Sequence, residues 1–285
     1  MRIKLTVAYD GTDFCGWARQ QGQRTVQSNL EEAIFASTRT QIEVTGASRT
    51  DSGAHALGQV CHFDTSLEIG LEKWPGILNK VLESDLSVVR AEEVGPDFHS
   101  RFCAEDRLYE YRIQTAARNP FKSRYTHELL RPLNLDLMKE AAQVLEGAHD
   151  FRAFTEELDP DIENTTRTLR EVRVNPAEDE VVISIVGTAF LRGMMRRISG
   201  GLVEVGRGHR TLEDFRSLLT EQRVDLQWPV VLPAKGLTLV RVRYGDPPRD
   251  CRTFKAEPRT AGQWRDRLSR VRIGRDGSRP SITES

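Results

Sequence analysis

Along this chain the apolar residues switch their spacing from two to 3.6 and back in one order, and that order runs twice. Alternation from Ile3 to Tyr9 predicts a strand. Thr25 is placed to cap a helix whose apolar stripe is Val26, Leu30, Ala33 and Ile34. Ile42 to Ala47 and Gln59 to Phe63 read as two further strands. Leu71 to Leu82 reads as a helix whose start is blurred by Pro75, and Leu86 to Val94 as a strand. The second round begins with a strand from Leu108 to Thr115. A helix follows from Leu135 to Leu145, with Leu137, Met138, Ala141, Ala142 and Leu145 on its buried side. Thr168 to Val174 and Val181 to Val186 form a hairpin across "NPAEDE". Helices run from Ala189 to Val205 and from Thr211 to Leu219, the second capped by Thr211, and Leu237 to Val242 is the last strand. Two rounds of βαββαβ predict the α+β class. Two ferredoxin-like halves, 1–104 and 105–245, would form an extended, mainly antiparallel sheet with helices on one face and a central cleft. The halves share their order of elements and not their residues.

Composition narrows the function classes. Of 285 residues, 38% are hydrophobic and 29% charged, which is enough apolar material for a core and too much for a disordered chain. The 41 basic and 42 acidic residues leave a net charge of −1, so a polyanionic partner would have to be met by a local basic footprint. Cys15, Cys61, Cys103 and Cys251 form no CxxC pair and no zinc-finger spacing. They read as reduced thiols of a cytoplasmic protein, with no metal site. "MRIKLTVAYD" is too short and too charged for a signal peptide, and no apolar run is long enough to cross a bilayer. From 246 to 285 the chain is rich in Arg, Pro, Gly and Ser and reads as a basic, disordered tail. Its Arg265, Arg267, Arg270 and Arg272 are either polyanion contacts or solvated charges.

The segment "GASRTDSGAHALGQV", residues 46–60, carries more chemistry than a link between strands needs. Asp51 and Gly53 suit a turn, because aspartate bonds its own backbone and glycine accepts positive φ. Asp51 and His55 as metal ligands lack a third partner nearby. As a catalytic carboxylate, Asp51 held by an arginine would stay ionised and serve as nucleophile or base. No GxxxxGK[ST] or GxGxxG motif calls for a nucleotide cofactor.

"RTDSGAHALGQV" resembles the signature of the tRNA pseudouridine synthase A family. "YDGTDFCGWARQ" with "RTVQ", "DFHSRFCAEDRLYEYRI", "GAHDFRAF", "AFLRGMMRRISGGLVEVGRG" and "AKGLTLVRV" resemble its other blocks, in order, from about residue 3 to 244. The resemblance implies a tRNA isomerase that turns uridine into pseudouridine in the anticodon stem-loop, at positions 38 to 40. It also implies a homodimer with an RNA-binding cleft and no small-molecule cofactor. The family's nucleophile falls on Asp51, attacking the uridine at the base or at the ribose C1′. The tyrosine that stacks on the flipped base falls on Tyr109. The arginine filling the vacated space falls on Arg49, and the partner of the aspartate on Arg196. These residue types suit such chemistry, because a base leaving its stack needs an aromatic platform and a planar guanidinium grips a carboxylate.

Phe98, His99 and Arg101, with Phe102, mix aromatic and basic groups suited to RNA, although the phenylalanines alone would read as core. Trp17 and Phe14 read as core. Arg192 and Arg196 are four apart and would share a helix face, one on the aspartate and the other near phosphate. Without the motif they would read as solvated arginines flanking the stripe Leu191, Met194, Met195, Ile198, Leu202 and Val205. The chain departs from the family pattern at Ala18, where the family usually has Gln, at Ser48 (Gly), at Ala54 (Val) and at Arg192-Gly193, where some relatives carry a His pair. None of these is expected to touch Asp51, Tyr109, Arg196 or Arg49. The competing readings are a silent RNA-binding module on the same frame and a metal hydrolase built on Asp51 and His55.

Overall fold

The computed structural model describes residues 1–155, 164–221, 228–246 and 248. The tail reading for 246–285, with its four arginines, otherwise lies outside the described residues. Ten strands form one mixed, mostly antiparallel sheet, and the class is α+β. The strands are β1 (Arg2–Tyr9), β2 (Thr45–Gly46), β3 (His55–Asp64), β4 (Leu86–Val94), β5 (Ala104–Gln114), β6 (His127–Glu128), β7 (Gly147–Asp150), β8 (Thr166–Ala177), β9 (Glu180–Gly187) and β10 (Leu237–Tyr244). Their order is β4-β1-β3-β10-β5-β9-β8-β7, with β2 beside β3 and β6 beside β5. The helices are α1 (Val26–Thr38), α2 (Lys73–Leu78), α3 (Leu135–Val144), α4 (Met194–Gly206) and α5 (Leu212–Thr220).

Periodicity finds most of these elements because their faces are cleanly sorted. Ile3, Leu5, Val7 and Tyr9 are buried on β1 while the residues between them are not. Thr25 caps α1 in a box with Ser28, and Val26, Leu30, Ala33 and Ile34 are buried as expected. Thr211 caps α5 in the same way with Asp214. The stripe of α4 is buried throughout. Its Gly200 and Gly201 allow close approach: a Cβ on Gly200 would lie 1.8 Å from the Val230 carbonyl oxygen, and one on Gly201 2.6 Å from Phe215.

Several expectations are corrected. The strand expected over Ile42 to Ala47 shrinks to β2, because helix side chains take its backbone: Val44 N–H donates to Glu31 Oε1 at 2.9 Å and Val44 O accepts from Gln27 Nε2 at 3.1 Å. The helix expected over Leu71 to Leu82 is only α2. Pro75 sits in its first turn, where no intrahelical N–H is needed, and Asn79 ends it by pairing with the Val88 backbone. Leu137 is 37% exposed rather than buried. The hairpin of β8 and β9 turns over Glu178 and Asp179 alone, with Glu178 at φ 53°. The helix expected from Ala189 begins five residues late, after Gly193 at φ 70°. Arg192 therefore precedes α4, and the shared helix face with Arg196 does not form.

β10 is the strand that brings distant segments together. It pairs antiparallel with β5 and, through Thr238–His55 and Leu239–Ala56, parallel with β3. The loop carrying Asp51 leads directly into that parallel seam.

Candidate active site

The loop from Gly46 to Ala54 is pinned from beneath by the segment Phe14–Trp17. Trp17 N–H donates to Thr50 O at 3.1 Å and Gly53 N–H to Phe14 O at 3.2 Å. Gly16, at φ 83°, lies so close that a Cβ would sit 2.8 Å from Thr50 O. Trp17 and Phe14 are core, as expected, and Trp17 packs flat against Gly46. Ala54 N–H donates to Asp51 O at 3.1 Å, and Gly53 takes φ 81°, so the turn chemistry is present as well. The turn places the Asp51 side chain at the surface of the loop, 21% exposed.

Arg196, on the first turn of α4, reaches that carboxylate: Nη1 lies 3.3 Å from Asp51 Oδ2, across 145 residues. The same guanidinium donates from Nε to Leu232 O at 2.6 Å, which fixes its plane. Tyr111 Oη donates to the next carbonyl, Pro233 O, at 2.7 Å, so the 232–233 backbone is itself anchored to β5.

Tyr109 lies on the same strand and is 5% exposed. Burial pushes its hydroxyl above the usual phenol range, Ser48 and Arg107 pull it back, and Asp51 raises it again. Its hydroxyl lies against the loop that carries Asp51. Phe190 meets the tyrosine ring edge-on at 4.9 Å.

Ser48 corrects an expectation. Its Oγ lies 2.6 Å from Tyr109 Oη, so this departure from the family pattern does touch the site. Behind it Gln59, fully buried on β3, donates to Ser48 O at 2.7 Å. Tyr9 Oη and Thr50 Oγ1 share a buried hydrogen bond of 2.8 Å. Thr50, the residue before Asp51, is thereby held in place.

Arginines gather on the other side of the loop. Arg107 is buried and has three carbonyl partners: Thr188 O at 2.6 Å, Arg101 O at 2.7 Å and Ala47 O at 3.3 Å. It fastens the Asp51 loop to the 98–103 segment, and sequence reasoning missed it. The only signal was its place two residues before Tyr109. Arg101 is exposed, with its guanidinium 5.8 Å from the Phe102 ring. Loss of surrounding water, then repulsion by Arg49, Arg107 and Arg167, holds it below the usual guanidinium range. Arg49 is exposed beside this group. Clustered positive charge suits an anion.

The remaining expected residues separate. Phe98 is buried against His62 and Tyr244 and is core. His99 Nδ1 accepts from the backbone N–H groups of Arg101 and Phe102 at 3.2 and 3.3 Å, so it shapes that turn. Arg192 is exposed in the loop before α4. His55 does not present a ligand. Nε2 faces the carbonyls of Arg124 and Lys235 at 3.0 and 3.1 Å and must carry the proton, while Nδ1 accepts from Gly11 N–H at 2.9 Å. Both ring nitrogens are committed, which removes the basis for a metal centre on Asp51 and His55.

The chemistry available is therefore a reachable carboxylate with a fixed arginine partner, an aromatic hydroxyl beside it and a basic rim. Known proteins agree. A family model described as tRNA pseudouridine synthase matches residues 5–103 and 141–245. A "tRNA pseudouridine synthase A" of Maridesulfovibrio salexigens is 39% identical over 249 residues, covering 86% of this chain and 91% of its own. One from Halalkalibacterium halodurans is 41% identical over 220 residues, covering 76% and 83%. One from Anoxybacillus flavithermus is 38% identical over 244 residues, covering 85% and 98%. With both matched stretches spanning the loop of Asp51 and the helix of Arg196, the chain belongs to the tRNA pseudouridine synthase family.

Proposed function

We propose that this protein isomerises uridine to pseudouridine in tRNA, in the anticodon stem-loop at positions 38, 39 and 40. The observation that carries the reading is the partly exposed Asp51 carboxylate, held by Arg196 beside Tyr109. Asp51 attacks the turned-out uridine, at the base or at the ribose C1′. The bond to Asp51 breaks as the glycosidic bond passes from N1 to C5, the C5 hydrogen leaves as a proton, and N1 takes a proton up. Atoms and electrons balance without an oxidant, a reductant or net water, so the reaction needs no cofactor. Arg196 holds the carboxylate aimed at the substrate. Tyr109 supplies the platform for the flipped base. Arg49 occupies the space the base leaves, and Arg101, His99 and Arg192 meet the RNA backbone while Phe98 supports their loop.

The frame we infer is two ferredoxin-like halves, 1–104 and 105–245, with the RNA-binding cleft where β3 meets β10. The strand orders β4-β1-β3, with β2 beside β3, and β10-β5-β9-β8 support it, being the same pattern in element order. A cytoplasmic homodimer fits a chain of net charge −1, because two copies double the basic rim available to one tRNA. No helix among the described residues is long and apolar enough to cross a membrane.

The test is tritium release from [5-³H]uridine-labelled, unmodified tRNA. The wild-type chain is expected to release tritium and the Asp51→Asn variant none. Carbodiimide treatment with primer extension then locates the product. Absence of release by the wild type from every unmodified tRNA overturns the reading and leaves a silent RNA-binding module.

A further inference from the structure

Among the positions where this chain departs from its family's pattern, Ser48 has the most direct contact with the candidate site. Its hydroxyl and that of Tyr109 are 2.6 Å apart, although the residues are 61 positions apart in sequence. The serine is not held by a free loop. Gln59 grips its backbone from both sides: Ser48 N–H donates to Gln59 Oε1 at 3.2 Å, and Gln59 Nε2 donates to Ser48 O at 2.7 Å. Gln59 is fully buried on β3, so the clamp is anchored in the sheet. The Ala47 N–H adds a backbone bond to Val60 O at 2.7 Å. The Ser48 hydroxyl is therefore presented from a fixed platform to the free end of the tyrosine ring.

A tyrosine ring is attached to its strand at one end only. Here the strand end is fixed by β5, and the edge contact with Phe190 restrains one side. The hydrogen bond to Ser48 restrains the hydroxyl end. A glycine at 48, as in the family pattern, leaves that oxygen without this partner.

We infer that Ser48 is a positioning residue for Tyr109, its Gln59-clamped hydroxyl fixing the phenol end of the ring on which the substrate uridine is presented. The inference rests on the pseudouridine-forming reading above. Small misplacements of a group against a reacting base cost rate more than affinity, since tRNA binding is spread over many contacts. The loss is therefore expected in kcat.

The experiment compares full-length wild type with Ser48→Ala, Ser48→Gly and Ser48→Thr. Pseudouridine formation is measured on unmodified tRNA, and tyrosine ¹³Cζ resonances are recorded at neutral pH. The Tyr109 signal is assigned by its loss in Tyr109→Phe. The alanine and glycine variants are expected to lose about three- to tenfold in kcat with KM within about twofold, the scale of one hydrogen bond in a reacting geometry. Threonine restores most of the rate, and the Tyr109 resonance moves in the alanine and glycine variants only. Melting curves check that each variant is folded. Equal kcat in all four proteins, or a change in KM alone, overturns the inference while an active wild type keeps the proposed function. A wild type that forms no pseudouridine overturns both.

Discussion

Asp51 and Asp106 are both carboxylates gripped by arginine, and the two grips have opposite consequences. Asp51 meets Arg196 at 3.3 Å and keeps 21% of its side chain exposed. Asp106, three residues before Tyr109 on β5, is 1% exposed. Arg170 reaches its Oδ2 from β8 at 3.0 Å, and Arg243 reaches it from β10 with Nε at 2.9 Å and with Nη2 in closer contact. The first carboxylate is open, so a substrate can approach it. The second is closed over, and its bonds run between strands. The same pair of residue types makes a reagent in one place and a staple in the other, and the difference is how much of the anion the surrounding chain covers.

Substitutions should separate these roles. The largest effect is expected for Asp51→Asn, with turnover reduced by at least about 10⁴-fold because the nucleophile is gone, and melting within about 2 °C of wild type. Asp106→Asn should do the reverse. Removing one member of a buried charge cluster strands the others, so the melting temperature should fall on the order of 10 °C while folded protein keeps its activity within severalfold. An Asp106 variant that melts normally and is inactive would break the comparison. Arg196→Lys should fall between them, with kcat lower by about ten- to a hundredfold, since a point charge cannot serve Asp51 and the Leu232 carbonyl with one planar fork.

The smallest effect concerns a buried ionisable group with cations for neighbours. Burial pushes His62 down to about 4, with His99 and Arg2 adding repulsion. The unfolded chain takes up this proton near pH 6.5, the folded chain only near 4. Between those values the unfolded state binds more protons, so stability rises with pH and is lost as pH falls from about 6.5 towards 4. Melting curves of His62→Gln across that window should be flatter than those of wild type by a few degrees. Parallel curves would show that His62 takes up its proton equally in the folded and unfolded states.

Local signals in the sequence carried a good part of this molecule. Capped helices with a clean stripe, such as α1 and α5, were legible because cap and stripe are written in neighbouring residues. The pairing of Asp51 with Arg196 was legible only through the resemblance, since nothing local links residues so far apart. What escaped depends on long-range geometry. Glu31 and Gln27 capture the Val44 backbone and remove a strand that the alternation of Ile42 and Val44 predicts. Arg107 reads as one more strand residue until its three carbonyl partners are seen. Ser48 looked peripheral because its contact is with a residue on a strand that has not yet begun at that point of the chain. Gly193 ended the shared face of Arg192 and Arg196 through one backbone angle.

The parallel seam between β3 and β10 also sets an order of assembly during synthesis. A ribosome releases the loop of Asp51 and strand β3 early, when β3 has β1 along one edge and β2 on part of the other, and the His55–Ala56 stretch that β10 will pair is bare. β5 emerges next and is likewise missing a neighbour until β10 arrives. The carbonyl of Leu232 that orients Arg196 is delivered only just ahead of β10. A nascent chain stalled between residues 51 and 232 holds the proposed nucleophile but lacks the strand and the carbonyl that set its partner, and so has no assembled site with which to act on RNA beside the ribosome.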